Sequence, residues 1–132
     1  MDTIKMNFRF TDVSASNVYD SLLNSDTHSA FTSSHCVCSN RVGASFSAYD
    51  AYITGQNVEL IEKSKIIQTW RTTEFPEGSK DSVLEIELEE QGTDCELTLT
   101  QTQIPEGQGI RYKNGWTEHY FEPMQAYFAE NA

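Results

Sequence analysis

Basic residues are scarce in this chain of 132 residues, and the shortage excludes several classes of partner. The nine Lys and Arg are outnumbered by 20 Asp and Glu, which gives a formal net charge of −11. Such a field repels a phosphate backbone and an anionic membrane surface, so we expect neither nucleic-acid nor membrane binding. No apolar run approaches the roughly 18 residues of a transmembrane helix, and residues 1–10 do not have the pattern of a signal peptide. The length predicts a single domain over residues 1–132.

Cysteine is also rare, and the three that occur do not form the pattern of a disulfide framework. Cys36 and Cys38 are one residue apart and the count is odd, which favours a reducing cytoplasm. Residues 35–38 (HCVC) could be interpreted as a soft metal loop, completed by Cys95 or His28 if the fold brought them close. The spacing is shorter than the usual separation of about two to four residues between cysteines. We therefore expect ordinary thiols in a solvent-edge loop and no metal.

Signals for catalysis are equally weak. Gly107 and Gly109 are not followed by the Lys-Ser or Lys-Thr pair of a phosphate loop, and we expect no cofactor. His119 has Glu118 and Glu122 near it in sequence, but helix neighbours one residue apart do not face each other. We predict that His119 is exposed or hydrogen-bonded rather than catalytic.

What is present is a clear order of secondary structure. Residues 3–10 alternate apolar and polar side chains, as in a strand with one buried face. Ser14 can cap a helix whose apolar positions follow at helical spacing. Residues 24–26 end that helix and can cap a short second helix that reaches Phe31, and residues 32–40 are expected to form a loop.

Five further strands are predicted in close succession, at residues 43–49, 52–61, 65–72, 82–90 and 96–103. Turn-prone segments separate them, so we expect an antiparallel meander. In the fourth of these strands Glu85, Glu87 and Glu89 share one side, which predicts a wet convex face.

The chain then ends in a long predicted helix over residues 110–130, broadly apolar on one side. Pro123 lies inside it, where a missing N–H and a clash with the carbonyl of His119 predict a kink. An antiparallel sheet covered by such a helix is a two-layer α+β fold, in the order β-α-α-β-β-β-β-β-α. A twisted sheet around one helix leaves a space between the layers, and we expect function there.

Three segments resemble the activator of heat shock protein 90 ATPase homologue family, within the START-like (polyketide cyclase) superfamily. They are GASFSAYDAYITG at residues 43–55, IIQTWR at 66–71 and GWTEHYFEPM at 115–124. The resemblance implies the helix-grip fold, a curved sheet wrapped around a long C-terminal helix with two short helices at one end. The chain departs from the family at Ala44 and Ala51, where relatives often have Gly, and at Gln101, where they often have His.

A set of large side chains is expected near the space between sheet and helix: Phe31, Tyr49, Trp70, Trp116, Tyr120 and Met124. Two interpretations stay open, a wall of an apolar cavity or a packed core. A buried indole or phenol needs a hydrogen-bond partner. Gln101 is a candidate for that partner, or for a ligand contact, and could equally be a strand-end residue that reaches water.

Three functions remain. The first is a small cytoplasmic domain, monomer or homodimer, that binds an apolar small molecule or lipid in its cavity. The second is a co-chaperone-like or stress-response module whose acidic surface meets a protein partner. The third, a cyclase- or hydrolase-type enzyme, would need an acid–base pair in the cavity that the sequence does not provide.

Overall fold

The computed structural model describes residues 1–131, which form one six-stranded sheet and a set of helices. The strands are β1 (Asp2–Phe10), β2 (Ser45–Ala48), β3 (Ile53–Ile61), β4 (Lys65–Thr72), β5 (Ser82–Gln91) and β6 (Asp94–Ile104). The helices are α1 (Ala15–Leu22), α2 (Ser25–Thr32), α3 (Gly109–Trp116) and α4 (Glu122–Glu130), with a π-helical segment, Thr117–Phe121, between the last two. The predicted order of elements and the α+β helix-grip fold are confirmed.

The sheet is entirely antiparallel and has the order β1-β6-β5-β4-β3-β2. Its concave side is apolar: Ile86 of β5 pairs with Leu99 of β6, and both are buried. The convex side has Glu87 opposite Thr98, where the first is exposed and the second half-buried. The alternation in sequence therefore separates a dry face from a wet one, as period-two patterns do.

The two short helices begin where side chains satisfy their first N–H groups. Ser14 Oγ accepts the Asn17 amide at 3.0 Å, as predicted. Asn24 Oδ1 accepts the amides of Asp26 and Thr27 at 2.9 and 3.1 Å. These caps fix the ends of α1 and α2, which close one end of the sheet.

Glycine is required at residue 55, where β3 is closely packed against both neighbouring strands. A Cβ on Gly55 of β3 would lie 1.9 Å from the Thr69 carbonyl oxygen and 2.7 Å from Cε1 of Phe46. Neither group can move away cheaply, because one is backbone and the other belongs to a buried ring. Strands β2, β3 and β4 thus approach each other more closely than any larger residue permits.

The β2–β3 turn is unusual because three consecutive residues adopt left-handed backbone. Tyr49, Asp50 and Ala51 have φ values of 51°, 56° and 67°. Left-handed backbone costs about 1–2 kcal/mol for a residue with a Cβ. Hydrogen bonds around the turn offset this cost. The Asp50 amide donates to the His35 carbonyl at 3.0 Å, and the Thr73 amide donates to the Tyr52 carbonyl at the same distance.

The predicted long C-terminal helix is present, and it contains a π-helical segment just before Pro123, where the kink is predicted. Around Pro123 the chain widens into the π-helical segment, in which the Glu122 amide donates to the Thr117 carbonyl five residues earlier. Pro123 then lies in the first turn of α4, where a missing N–H costs little. The His119 carbonyl, which an α-helical residue at 123 would have bonded, instead accepts the Tyr49 hydroxyl at 2.5 Å.

The helix lies on the concave side of the sheet, and its two halves contact different sets of side chains. Toward α4 the contacts are between phenyl rings, such as Phe10 of β1 with Phe121 of the π-helical segment. At α3 they are between indoles and phenols, such as Trp70 of β4 with Tyr112 of α3. Among residues 1–131, no helix is both long and apolar enough to span a lipid bilayer.

Candidate ligand-binding pocket

The centre of the space between sheet and helix is packed. Trp116 Nε1 donates to Gln101 Oε1 at 3.0 Å, and Gln101 Nε2 donates to Ser82 Oγ at 3.0 Å. The Ser82 hydroxyl donates in turn to the Trp70 carbonyl at 2.6 Å. The chain of bonds satisfies a buried amide and a buried indole, so this part of the interior needs no ligand.

Beside this network a small void remains, of about 20 Å³. His28, Cys38, Gln68 and Tyr120 are among the side chains around it. A void needs about 10–15 Å³ to hold one water molecule. This void therefore has space for a single water and is too small for an organic ligand.

A much larger cavity, of about 410 Å³, opens at the α3 end of the molecule. Three elements form it: the β2–β3 turn, the end of β4 with the residues after it, and one side of α3 and the π-helical segment. It is lined by Tyr49, Tyr52, Ile53, Trp70, Glu74, Arg111, Tyr112, Asn114, Gly115, Trp116, Glu118, His119 and Tyr120. Its walls are aromatic and its rim is charged, which is the usual composition of a small-molecule site.

Of the residues expected at the site, the structure brings four into this pocket: Tyr49, Trp70, Trp116 and Tyr120. The other three lie elsewhere. Phe31 of α2 stacks on His28, with ring centroids 4.9 Å apart. Gln101 and Met124 are fully buried in the packed interior, and Gln101 is the hydrogen-bond partner of Trp116.

Sequence reasoning missed several lining residues. Tyr112 could have been found, because it lies four residues before Trp116 and eight before Tyr120 on the same helical stripe. Tyr52 and Glu74 lie in turns. Their place in the pocket depends on tertiary structure, and no local sequence pattern predicts it.

Charged and phenolic groups bond to each other along the rim. Arg111 Nη1 donates to Glu74 Oε1 at 3.0 Å, and the Tyr52 hydroxyl donates to Glu74 Oε2. The Tyr52 hydrogen bond and the Arg111 guanidinium hold the pKa of the Glu74 carboxyl below its usual range. Burial raises the pKa of Tyr49 and of Tyr52 to about 12. Both phenols are therefore neutral hydrogen-bonding groups near neutral pH.

The pocket brings together acidic and basic groups without pairing them for catalysis. His119 and Glu118 line the mouth and are exposed. Within residues 1–131 the His119 side chain makes no hydrogen bond to a carboxylate, and Glu74 is already engaged by Tyr52 and Arg111. A catalytic base is commonly oriented by a third group within hydrogen-bond reach, and among the described residues no carboxylate does this for His119.

A second cluster of chemically active side chains lies behind the pocket. His28, Cys36 and Cys38 place one ligand atom each within 4.8 Å of the others. His35 is exposed and Cys95 is buried in β6, so neither belongs to this cluster. A hydrogen bond from the Cys36 thiol lowers the pKa of Cys38 to about 5, assisted by His28 and Ser25 and opposed by burial. The same interaction raises the pKa of Cys36.

Comparison with known proteins agrees with the fold. A Dictyostelium discoideum protein named activator of 90 kDa heat shock protein ATPase homolog is 30% identical over 96% of this chain. The human activator homolog 1 is 26% identical over 78% of it. The aligned regions make up 33% and 30% of those proteins, so the chain spans about a third of their length.

Among solved structures, an HSP90 activator from Plasmodium falciparum superposes with a TM-score of 0.88 at 20% identity, over 96% of both chains. Its likeness shows the helix-grip fold. Residues 12–129 match the family described as Activator of Hsp90 ATPase homolog 1-like protein. The match covers most of the sequence, and the chain therefore belongs to this family.

Proposed function

We propose that this domain binds a flat, apolar small molecule in the open pocket at its α3 end. One observation carries the proposal: an aromatic-walled cavity of about 410 Å³ opens to solvent beside a packed interior. Pockets that hold small ligands have volumes of about 300–1,000 Å³. The proposed site is therefore at the open α3 end of the molecule, whereas the sequence predicted it in the space between sheet and helix.

Burial of apolar surface supplies the affinity in this proposal. A ligand that buries about 300 Å² of apolar surface gains about 7 kcal/mol before entropic costs, which allows micromolar binding. The Arg111–Glu74 pair at the rim favours a ligand with one polar end that faces outward. The aromatic floor of Trp70 and Trp116 favours a flat ring system.

The test fills the pocket without removing any core side chain. Gly115 faces the pocket, and a Cβ built there meets only Cδ2 of His119, at 3.8 Å. A Gly115→Leu variant places a branched side chain in that space. Ala126→Leu, at an exposed position of α4, is the matched control.

The probe is the neutral dye N-phenyl-1-naphthylamine, titrated against each protein and followed by fluorescence. We expect saturable one-to-one binding to the wild type, at least tenfold weaker binding to Gly115→Leu and unchanged binding to Ala126→Leu. A wild type that fails to saturate, or equal binding by Gly115→Leu, would contradict the proposal.

The comparisons favour a second candidate function, that of a cytoplasmic co-chaperone. The relatives above are named as activators of an Hsp90 ATPase, and the Plasmodium falciparum protein with that name superposes on this chain along nearly its whole length. We propose that an acidic face of this domain docks on a basic face of an Hsp90-class chaperone. The net charge of −11 supports an electrostatically steered encounter.

This second proposal is tested with a purified Hsp90-class chaperone and its ATPase rate. We expect the domain to raise that rate at low ionic strength and to lose its effect as salt screens the charges. An ATPase rate that stays constant up to a large molar excess of the domain would reject the co-chaperone function and leave the ligand pocket standing.

A further inference from the structure

The segment that contains Cys36 and Cys38 is held in an extended form beside β2. The Val37 amide donates to the Ser47 carbonyl, and the Ser47 amide donates to the Val37 carbonyl, both at 2.9 Å. Val37 is 51% exposed, whereas Cys36 is 2% exposed. Because side chains alternate along extended backbone, Val37 faces solvent and both thiols face inward.

Two serines of α2 fix this segment from the other side. Ser29 Oγ accepts the Cys36 amide at 2.9 Å and contacts the Cys36 carbonyl at 3.3 Å. Ser25 Oγ accepts the Cys38 amide at 2.9 Å and donates to the Cys38 carbonyl at 3.0 Å. The serines are four residues apart and share one helical face, so they match two residues of an extended chain.

His28 projects from the same helix toward the two thiols. Its Nδ1 lies 3.0 Å from the Leu22 carbonyl oxygen, which can only accept, so Nδ1 carries the proton. Nε2 carries the lone pair and accepts the Tyr120 hydroxyl at 2.9 Å, so an ion bound at Nε2 would displace that hydroxyl. Histidines that bind metals usually donate their other N–H to a carbonyl or carboxylate in this way, because the bond fixes tautomer and orientation.

We propose that His28, Cys36 and Cys38 form a binding site for a thiophilic divalent cation of the zinc class. Their ligand atoms already lie within 4.8 Å of one another. Zinc bonds of about 2.3 Å to sulfur in a tetrahedral site put the two sulfurs about 3.8 Å apart, so only small side-chain movements are needed. Two thiolates and one imidazole are donors that suit zinc.

The fourth position of a tetrahedral ion has a donor available. The Tyr120 hydroxyl is adjacent to His28, and the void of about 20 Å³ beside His28, Cys38 and Tyr120 has room for one water. Three protein ligands and one water make up the donor set of many zinc sites with an open position.

A disulfide suits this geometry less well than a metal ion. In extended backbone the Cα atoms of residues 36 and 38 are about two strand rises apart, roughly 6.6 Å. That separation is near the upper limit of about 6.8 Å for disulfides. The hydrogen bonds to Ser25, Ser29 and Ser47 resist the backbone shift that would bring the thiols to bonding distance.

The experiment uses the full chain, reduced, stripped with a chelator and titrated with Co²⁺ as a spectroscopic substitute, then with Zn²⁺ in competition. We expect one Co²⁺ per chain, with thiolate-to-cobalt charge-transfer absorption of two thiolates, displaced by one equivalent of Zn²⁺. Cys38→Ser should remove about half of that absorption. Cys38→Ser and His28→Gln should each weaken binding at least about a hundredfold, because even the loss of an outer-shell partner costs 10- to 100-fold.

His35→Gln is the matched control, since His35 adjoins Cys36 but is exposed and lies outside the cluster. It should bind Co²⁺ as the wild type does. Absence of the charge-transfer band in the wild type would overturn the site whatever the variants do, since it indicates binding by surface carboxylates or no binding. Wild-type affinity in His28→Gln, or an equal loss in His35→Gln, would also overturn it.

Discussion

The two halves of the C-terminal helix cover the same sheet with different chemistry. At the α4 half, Phe10 meets Phe121 and Phe128 edge-on, with centroids 6.1 and 5.7 Å apart and planes 88° and 81° apart. Phe8 adds a ring 5.2 Å from Phe121. Phenyl rings carry no polar atom, so their positions are decided by packing alone, and Phe10, Phe121 and Phe128 are buried.

At the α3 half, the rings also have hydrogen-bonding partners to reach. Trp116 is directed to Gln101, and the Tyr112 hydroxyl lies 2.8 Å from Thr72 Oγ1 and 2.5 Å from Gln108 Oε1. A ring whose polar end is bonded at a fixed point cannot also move to fill every gap. The pocket lies at this half, and the comparison indicates that polar anchoring keeps it open.

The largest effect is expected from breaking the phenyl half. Phe10→Ala should lower the free energy of unfolding by about 3–5 kcal/mol, because a fully buried ring leaves a cavity in close packing. Urea denaturation measures the loss, and dye binding to the folded variant should match that of the wild type. A loss below about 1 kcal/mol would show that this half is as loosely packed as the other.

A smaller effect is expected from removing the anchor of Trp116. Gln101→Leu leaves the buried indole N–H without an acceptor, whereas the Ser82 hydroxyl keeps its bond to the Trp70 carbonyl, and the cost is about 1–3 kcal/mol. Trp116→Phe in the same chain removes the unpaired N–H. Chemical denaturation of both single variants and the double variant should give a cost for the pair smaller than the sum of the two. Strict additivity would mean that the bond does not position Trp116.

The sequence predicted the layers of this fold better than its site. Alternation in residues 3–10 and in β5, and the caps at Ser14 and Asn24, are local patterns, and the structure reproduces them. The stripe of Trp116 and Tyr120 is also local, and it lines the pocket.

The rest depends on register and on contacts between distant segments. Gln101 contacts Ser82 because of the register between β5 and β6. The alternation within each strand does not predict that register. The π-helical segment goes together with Pro123 and with the bond from the Tyr49 hydroxyl to the His119 carbonyl, whose residues are 70 positions apart. The sequence named His28 as a possible partner of the two cysteines only if the fold brought it close, and α2, which folds over the extended loop, does so.

The link between the turn and the helix gives a third, more modest prediction. Tyr49→Phe removes the hydroxyl that the His119 carbonyl accepts, so the free energy of unfolding should fall by about 0.5–1.5 kcal/mol. Thermal or urea unfolding measures the change. In a Pro123→Ala background, residue 123 regains an N–H for this carbonyl, and the same substitution should cost less. An equal cost in both backgrounds would show that the Tyr49 hydrogen bond contributes the same stability whether or not residue 123 is proline.

The strained turn at the pocket rim should respond in the opposite direction. Ala51→Gly relieves a φ of 67°, whereas the added freedom of the unfolded chain offsets part of the gain. We expect a net stabilisation of about 0.5 kcal/mol, measured as a raised midpoint in urea. Ala48→Gly, at a buried strand position of the same hairpin, is the control and should destabilise. A destabilised Ala51→Gly would contradict the left-handed conformation of the turn.

The smallest effect on stability belongs to the charged rim, and it separates affinity from folding at the α3 half. Arg111→Gln breaks the 3.0 Å pair with Glu74, but both side chains are about half exposed, so unfolding should not change measurably. If the rim selects ligands with an outward polar end, the variant should alter the affinity for an anionic naphthalene dye and leave the neutral dye unaffected. Fluorescence titration of both dyes checks this. A loss of stability instead would mean that the rim, like the phenyl half, holds the fold together.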